Sequence, residues 1–292
     1  MFTLKLVSGM PKQIETIVED IYGVLSDRTH KYDEQNTKSF ADTLAGIVVK
    51  KLGEDQAPRL RFSNIDEKCL RRLWYQINQP EKAEALPPWT RMKFLFGDIL
   101  EALVIFLSKE AGHEVVGEQT KLALEGLSGQ RDAVLDGVTL DVKSASTHSL
   151  NKFKDHLKAE EDAFGYLDQV GAYTEAGKDD PLVTDKDRFG FLAVDKTLGH
   201  IVLDLHSKRK DSSEYYKNRI NRQRAELTSK EAPPRAFSAE PDGKSGNEKL
   251  GTKCSYCEFK RHCWPSLRMF AYSNGPRFLS RVERLPDVPE IT

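Results

Sequence analysis

The stretch that decides the fold lies at residues 129–146, with the sequence GQRDAVLDGVTLDVKSAS. Two runs of alternating apolar and polar residues flank an Asp-Gly dipeptide at 136–137, which is the strongest short-range signal for a β-hairpin with a two-residue turn. This turn makes Asp132 and Asp141 cross-strand neighbours, with Cβ atoms about 4.5–5.5 Å apart. Lys143 follows two residues later and projects from the same face. The hairpin is therefore predicted to carry two carboxylates and one ammonium group on one face of a sheet.

Outward from this hairpin, the hydrophobic period changes near residue 113. Before it, apolar residues recur at helical spacing, which predicts helices at 11–27, 38–52, 64–79 and 90–111. After it, two-residue alternation and turn signals predict strands at 113–124, 129–135, 138–145, 188–195 and 200–206, and helices at 160–176 and 212–230. This order predicts an α/β fold, with a mixed central sheet flanked by helices. The helix at 90–111 is apolar nearly all round and is expected to be buried.

The hairpin carboxylates are candidate ligands for a divalent metal. Adjacent carboxylates repel each other unless a cation or a proton lies between them, and oxygen ligands favour Mg²⁺ or Mn²⁺. Glu101 lies in the most apolar helix, where a charged group needs a partner, and the metal would provide one. Two alternatives stay open: an exposed Asp/Asp/Lys face without function, and a Glu101 that lies on a narrow exposed stripe of its helix.

Four short motifs follow one another along the chain: Gly97-x3-Glu101, Gly129-x2-Asp132, Asp141-x-Lys143 and Gln169-x3-Tyr173. In this order and spacing they resemble the PD-(D/E)xK nucleases of the RecB type, over most of the chain from about residue 60. The resemblance implies a restriction-endonuclease-like core. The proline of the family motif is absent here, and Asp132 stands without it.

The resemblance also assigns roles to the motif residues. It implies that the catalytic Mg²⁺ or Mn²⁺ is bound by Glu101, Asp132 and Asp141. Lys143 would activate or position the attacking water, and Gln169 and Tyr173 would support the site and contact DNA. Residues 1–60 carry no such motif, so an N-terminal helical region is expected at 1–60 and the nuclease domain at 61–292.

Three of the four cysteines lie close together in sequence, as Cys254-x2-Cys257-x5-Cys263, and the fourth, Cys69, lies far upstream. The spacing alone is equally compatible with a structural zinc site and with an iron–sulfur cluster. Four unrelated free thiols are a third alternative. One cysteine before the nuclease motifs and three after them resembles the iron–sulfur subgroup of RecB-type nucleases, which includes AddB and CRISPR-associated members. That resemblance implies a 4Fe-4S cluster that ties the C-terminal segment back to the helix with Cys69. His262 is an alternative ligand for zinc.

A basic stretch at 207–224 is a candidate DNA contact. Its cations are Lys208, Arg209, Lys210, Lys217, Arg219, Arg222 and Arg224. With Tyr215 and Tyr216, such a helix is expected to follow a phosphate backbone and to stack on bases, and a solvated helix face is the alternative. Trp89 is expected to pack in the core or against the cysteine cluster, and a platform for base stacking is the alternative. The last residues, 278–292, are expected to form an extended surface segment.

Composition places the chain among ordinary globular proteins. The 292 residues include 44 Lys+Arg and 45 Asp+Glu, for a net charge of −1, which argues against a globally basic coat for nucleic acid. No apolar run approaches the roughly 18 residues that cross a bilayer. A cytoplasmic protein without membrane partners is therefore expected, in the host cytoplasm if the gene belongs to a phage or mobile element.

These features together predict a metal-dependent DNA exonuclease. The sequence has no GxxxxGK[ST] motif, so the protein is expected to act on single strands or DNA ends, or beside a separate helicase or single-strand-binding protein. Analogy with the family favours 5′ to 3′ polarity, in recombination, replication or DNA degradation. The alternatives are a structure-specific or CRISPR-spacer-processing endonuclease and a non-catalytic, zinc-containing DNA-binding module.

Overall fold

A computed structural model describes residues 12–52, 59–85 and 88–291, without the side chains of 51 and 52. Contacts within the chain divide the described residues into two compact units. The first unit comprises those within Met1–Gln56, Arg61–Asp66 and Trp89–Asn218, and the second those within Ala57–Leu60, Glu67–Pro88 and Arg219–Thr292. Residues 1–11 and 53–58 of the predicted N-terminal region lie outside the described residues, and the domain boundary near residue 60 stays a prediction.

The helices occur in both units. They are α1 (Ile17–Ser26), α2 (Glu34–Leu52), α3 (Leu70–Asn78), α4 (Pro88–Glu110), α5 (Thr147–Lys154), α6 (Tyr166–Ala176), α7 (Ser212–Leu227), α8 (Thr252–Ser255) and α9 (Lys260–Cys263). Short 3₁₀ segments lie at Ile14–Thr16, Phe62–Asn64 and Pro80–Lys82. No helix in the described ranges has the length and apolarity needed to cross a membrane.

Within the described ranges, the strands form three sheets. They are β1 (Val115–Val116), β2 (Lys121–Leu124), β3 (Leu127–Gln130), β4 (Ala133–Leu135), β5 (Val138–Ala145), β6 (Asp185–Asp195), β7 (Ile201–Ser207), β8 (Glu240–Pro241), β9 (Glu248–Lys249), β10 (Arg268–Tyr272), β11 (Gly275–Arg281) and β12 (Glu290–Ile291).

The central sheet of the first unit has the strand order β1-β4-β5-β6-β7. β5 and β6 are parallel, whereas the other neighbouring pairs are antiparallel. A parallel pair needs a long crossover, and α5 and α6 provide it between β5 and β6. The predicted mixed sheet flanked by helices is confirmed.

One face of this sheet forms the apolar core of the first unit. The core combines Leu140 and Val142 of β5 and Leu192 of β6 with Ile17 of α1 and Leu107 of α4. Since side chains alternate along a strand, Asp141 and Lys143 project from the opposite face. Helices α5 and α6 contact the central strands β5 and β6. The alternation within β5 therefore separates the core from the polar site.

Several elements differ from the sequence prediction. The predicted strands 113–124 and 129–135 each divide into two short strands, and β2 pairs with β3 in a separate two-stranded sheet. Helix α6 begins at Tyr166 rather than at 160, and α5 was not predicted. α4 is buried only in its second half, because Trp89 and Phe96 in its first half are 68% and 57% exposed. The expectation of a buried Trp89 and an entirely buried α4 is wrong.

The second unit contains a sheet that the sequence did not predict. Its strand order is β12-β10-β11-β9-β8, and all pairs are antiparallel. Residues 278–291, expected as an extended surface segment, contribute to β11 and form β12. A separate apolar cluster of this unit joins Leu73, Trp74 and Tyr75 of α3 to Leu227 and Phe259.

Candidate active site

The hairpin β4–β5 positions the centre of the site. Asp136 and Gly137 both have positive φ angles, 48° and 83°, as a type I′ turn requires. Leu135 pairs with Val138, and the register continues through Val134 and Ala133. The predicted turn and register are confirmed, and they place residues 132 and 141 at the open end of the hairpin.

The buried Asp141 and the half-buried Lys143 form an ion pair on the polar face of β5. Asp141 is 2% exposed, and Lys143 Nζ lies 2.6 Å from its Oδ2. This carboxylate oxygen makes no hydrogen bond of regular geometry. Lys143 Nζ also lies 4.5 Å from the ring centre of Tyr166, so aromatic and carboxylate partners hold the ammonium group in place.

Asp132 is fixed beside this pair by the backbone of the neighbouring strand. Its Oδ2 accepts a hydrogen bond of 2.8 Å from the Val142 N–H, and its carbonyl oxygen accepts one of 3.0 Å from the Gln119 N–H. Burial and the nearby carboxylates of Asp141 and Glu101 raise the pKa of Asp132 well above its usual range. The structure thus brings Asp132 and Asp141 together as predicted from the hairpin.

Glu101 approaches the same carboxylates from α4. Its Oε1 accepts a hydrogen bond of 2.7 Å from Gln119 Nε2. Burial and the Asp141 carboxylate raise the pKa of Glu101 to about 7. One helical turn earlier, a Cβ added to Gly97 would lie 3.6 Å from Ser144 Oγ, an ordinary contact, so this position does not require glycine for space. Gln119 is a partner that the sequence did not indicate, since it lies in a turn outside the motifs.

The carboxylate oxygens of Glu101, Asp132 and Asp141 are the type of ligand that a hard divalent cation prefers. After burial, the Asp141 carboxylate is the main cause that raises the pKa of both Glu101 and Asp132, as expected where a positive charge is needed, and Asp141 Oδ2 is buried without a regular hydrogen bond. Within the described residues, no choice of one oxygen each from Glu101, Asp132 and Asp141 places all three within 4.8 Å of one another. Their joint ligation of one ion therefore stays a prediction and requires a side-chain adjustment.

Gln169 and Tyr173 lie one turn apart on α6, with Gln169 Nε2 3.4 Å from the Tyr173 hydroxyl. Tyr173 is 4% exposed, and burial raises its pKa to about 12. Its ring packs edge-on against Phe62 at 5.2 Å between centres, and a Cβ on Gly129 would come within 2.8 Å of it. Tyr173 is therefore part of the packing around Gly129, and its support of the site and its contact with DNA stay predictions.

The four cysteines all lie in the second unit and are free and half-buried. Burial, followed by the nearby thiols of Cys69 and Cys263, raises the pKa of Cys254. Burial likewise raises the pKa of Cys257 to about 12. No three of the four sulphur atoms lie within 4.8 Å of one another, so the structure does not show a cluster. The exposed His262 packs edge-on against Tyr75.

Of the predicted DNA-binding residues in the first unit, two lie beside carboxylates and two are exposed lysines. Lys208 Nζ lies 3.5 Å from Glu175 Oε2, and Arg209 pairs with Asp211 at 3.1 Å. Lys210 and Lys217 are exposed.

The two tyrosines of this stretch do not form a base-stacking pair. Tyr216 is 2% exposed, and the Tyr215 hydroxyl donates to Asp168 at 3.0 Å. The expectation that Tyr216 stacks on bases is wrong, because this ring is used in the core. Of the remaining predicted cations, which belong to the second unit, Arg219 is half-buried and Arg222 is exposed.

The chain is similar to known proteins in structure but not detectably in sequence. No protein-family model matches the sequence, and no curated protein matches it significantly. An alkaline exonuclease, LHK-Exo, from Laribacter hongkongensis aligns with 59% of this chain and 88% of its own, at 14% identity and a TM-score of 0.36.

Two further solved structures align over a similar extent. A structure of LHK-Exo in complex with dAMP covers 63% of this chain and 92% of its own, at 15% identity and a TM-score of 0.37. The protein SSO0001 aligns with 76% of this chain and 95% of its own, at 13% identity and a TM-score of 0.43. Similarities of this extent do not establish a shared activity, and we argue the function from this chain's own residues.

Proposed function

We propose that this chain is a metal-dependent deoxyribonuclease that acts as an exonuclease on single-stranded DNA or DNA ends, with 5′ to 3′ polarity favoured. The observation that carries the proposal is the β4–β5 hairpin, which brings Asp132 beside the Asp141–Lys143 ion pair. Glu101 adds a third carboxylate from α4, close enough for the Asp141 carboxylate to raise its pKa. This group combines cation-binding oxygens with a fixed ammonium group, as hydrolysis of a phosphodiester requires.

Glu101, Asp132 and Asp141 would hold Mg²⁺ or Mn²⁺, which when bound lowers the pKa of water and stabilises charge on the phosphate oxygens. Paired with a carboxylate, the Lys143 side chain is an ammonium ion, which can donate hydrogen bonds but has no lone pair to accept a proton. Lys143 therefore positions water or a phosphate oxygen rather than removing a proton. Tyr166 restricts the ammonium group to this place, 4.5 Å from its ring centre.

End-labelled DNA tests the proposal directly. Purified protein is incubated with single- and double-stranded DNA in Mg²⁺, Mn²⁺ or EDTA, beside a Lys143→Ala variant and a control Lys196→Ala, which changes an exposed lysine of the β6–β7 turn. We expect release of label with metal, none with EDTA, a loss of at least about 100-fold for Lys143→Ala, and wild-type activity for the control. Equal activity of both variants would overturn the role of Lys143.

The position of the released label gives the polarity, and closed substrates distinguish the mode of cleavage. Circular single-stranded DNA has no end, so an exonuclease leaves it intact whereas an endonuclease cuts it. If wild-type protein binds DNA but cleaves no substrate with any metal, the non-catalytic binding module becomes the better interpretation.

We further propose that the four cysteines of the second unit hold a 4Fe-4S cluster. Besides burial, the thiols of Cys69 and Cys263 raise the pKa of Cys254, so the distant Cys69 lies near the C-terminal cysteines within this unit. Four cysteine thiolates are the usual ligands of a 4Fe-4S cluster. Analysis for iron and acid-labile sulfide in anaerobically purified protein tests this proposal, and stoichiometric zinc without iron would contradict it.

Lys210 and Lys217 are proposed as phosphate contacts of the first unit, because both are exposed. Each phosphate contact contributes about 0.7–0.9 to the slope of log K against log salt. Lys210→Ala and Lys217→Ala should each reduce this slope by about one contact. Lys208→Ala should reduce it less, because Lys208 lies beside Glu175.

A further inference from the structure

Two histidines and one aspartate converge on the first unit's central sheet, outside the candidate active site. His156 Nδ1 lies 2.8 Å from Asp204 Oδ1, and His206 Nε2 lies 2.9 Å from Asp204 Oδ2. One ligand atom from each of the three residues can be chosen so that all lie within 4.8 Å of one another. None of the three was indicated by a sequence motif, since 48 residues separate His156 from Asp204.

The sheet register places this group relative to the hairpin carboxylates. Asp141 pairs with Phe191, and Phe191 pairs with Asp204, so all three side chains project from the same face. Two strand spacings, about 10 Å in all, separate the backbones of residues 141 and 204. Phe191 is 0% exposed between them. The group is therefore a separate polar site that shares a sheet face with the candidate active site.

The three side chains are oriented by their surroundings. His206 and Asp204 are 8% and 4% exposed, and the His206 ring stacks on Phe189 at 5.6 Å. The Leu157 N–H donates to Asp204 Oδ2 at 3.0 Å, which is the kind of support that metal-ligating carboxylates receive. His156 has a φ of 64°, a left-handed conformation that a non-glycine residue adopts only where neighbouring contacts impose it.

We propose that His156, Asp204 and His206 bind a transition-metal ion of the Zn²⁺ class. Two imidazole nitrogens and one carboxylate are the donor set of many zinc sites, and they disfavour Mg²⁺, which prefers oxygen ligands. To bind the ion, each imidazole must present a lone pair on the nitrogen that now faces Asp204, so its ring proton moves to the other ring nitrogen or passes to solvent. Because His156 is 64% exposed at its side chain, the fourth position is open to water.

This site would fasten the segment after α5 to strand β7. That segment runs from residue 155 to 165 and leads into Tyr166, whose ring contacts the Lys143 ammonium group. Occupancy by metal is therefore expected to reduce the mobility of Tyr166 without supplying a catalytic ligand. The proposal does not depend on the nuclease function, because binding is measured without DNA.

The test uses the full chain with Asp132→Asn, which weakens the candidate catalytic site as a competing metal site and keeps the Asp141 carboxylate paired with Lys143. His156→Ala is added to this background, and His200→Ala, an exposed histidine immediately before β7, is the matched control. Metal content after dialysis against Zn²⁺, thermal midpoints with Zn²⁺ or Mg²⁺, and visible absorption of Co²⁺ are measured for each protein. Cobalt bands without thiolate charge transfer distinguish this site from the cysteines.

We expect His156→Ala to lose one metal equivalent, the Co²⁺ bands and the Zn²⁺-dependent rise in midpoint, with at least tenfold weaker binding. His200→Ala should retain all of them, and Mg²⁺ should not substitute. Because His156 is exposed, its replacement should leave the circular dichroism spectrum unchanged. Equal metal content in both histidine variants would overturn the proposal, as would an absence of any response to Zn²⁺ or Co²⁺, and the group would then be a hydrogen-bonded His–Asp–His network.

Discussion

Replacement of Gly129 by alanine tests the packing that supports the candidate site. A Cβ at this position would lie 2.8 Å from Tyr173 Cε1 and 2.9 Å from Phe62 Cδ2, whereas carbon atoms in contact are about 3.5–4.0 Å apart. Each ring must therefore move by more than half an ångström. Both rings are buried, at 4% and 0% exposure, so neither can turn into solvent.

The expected cost follows from two opposing effects. Overpacking of a close-packed core costs about 1–3 kcal/mol, and the loss of backbone freedom in the unfolded chain offsets about 0.4–1 kcal/mol of it. We therefore expect Gly129→Ala to lower the free energy of unfolding by about 1–2 kcal/mol. Displacement of Tyr173 should also reduce DNA cleavage more than DNA binding, since Tyr173 packs behind the site.

Urea unfolding followed by circular dichroism measures the first effect, as a lower midpoint at an unchanged slope. Gly46→Ala in α2 is the control, because no atom lies within 4 Å of its added Cβ, and it should stabilise by about 0.5–1 kcal/mol. Phe62→Ala should cost less in the Gly129→Ala background than alone, since it makes room for the methyl group. Additive costs, or a Gly129→Ala protein as stable as wild type, would refute the packing argument.

Substitutions at three other positions probe the first unit by the same unfolding measurement. Asp180→Asn should destabilise by about 3 kcal/mol, because it leaves the guanidinium group of the fully buried Arg131 without the carboxylate 2.6 Å away; a cost below 1 kcal/mol, roughly that of an exposed pair, would contradict this. Gly137→Ala should cost at least about 2 kcal/mol, because the φ of Gly137 is 83° and an added Cβ would overlap Thr184 Oγ1; Gly137→Asn meets the same overlap but should cost less, since asparagine tolerates this φ better. Hydrogen bonds from Lys12 and other donors lower the pKa of Asp20 to about 2, so Asp20→Asn should destabilise by at most about 1 kcal/mol at pH 7. A folded pKa below the unfolded one stabilises only above the unfolded value, so this difference should shrink as the pH falls from about 4 to 2, and a constant difference would contradict the ion pair.

The sequence predicted those parts of the site that local rules determine. The Asp136-Gly137 turn sets the register of β4 and β5, and the register alone places residues 132 and 141 together and assigns Leu140 and Val142 to the core. The turn, the register and the two faces of β5 can be predicted from the hairpin sequence alone, without the residues that pack against it. The residues that complete the surroundings, Gln119 and Tyr166, come from other elements, and only the folded chain brings them to Glu101 and Lys143.

Other features were missed for identifiable physical reasons. α5 has eight residues and buries only Leu150 and Phe153, so its hydrophobic period is too short to recognise, although Ser146 accepts a capping hydrogen bond at its start. β10 and β11 pair within a segment rich in arginine and turn residues, where cross-strand contacts override weak local preference. The first half of α4 has an apolar sequence but exposed side chains, which periodicity cannot reveal.

The second unit is assembled from segments that lie far apart in the sequence, and this affects the chain while it is being synthesised. Leu73, Trp74 and Tyr75 of α3 are covered by Leu227 and Phe259, which the ribosome adds more than 150 residues later. At about 5–20 residues per second, the apolar side of α3 waits on the order of 10–40 seconds for its partners. During translation the apolar side of this helix is therefore uncovered, which is the condition that favours aggregation of unfinished chains, and a chain that stalls before residue 227 lacks both partners.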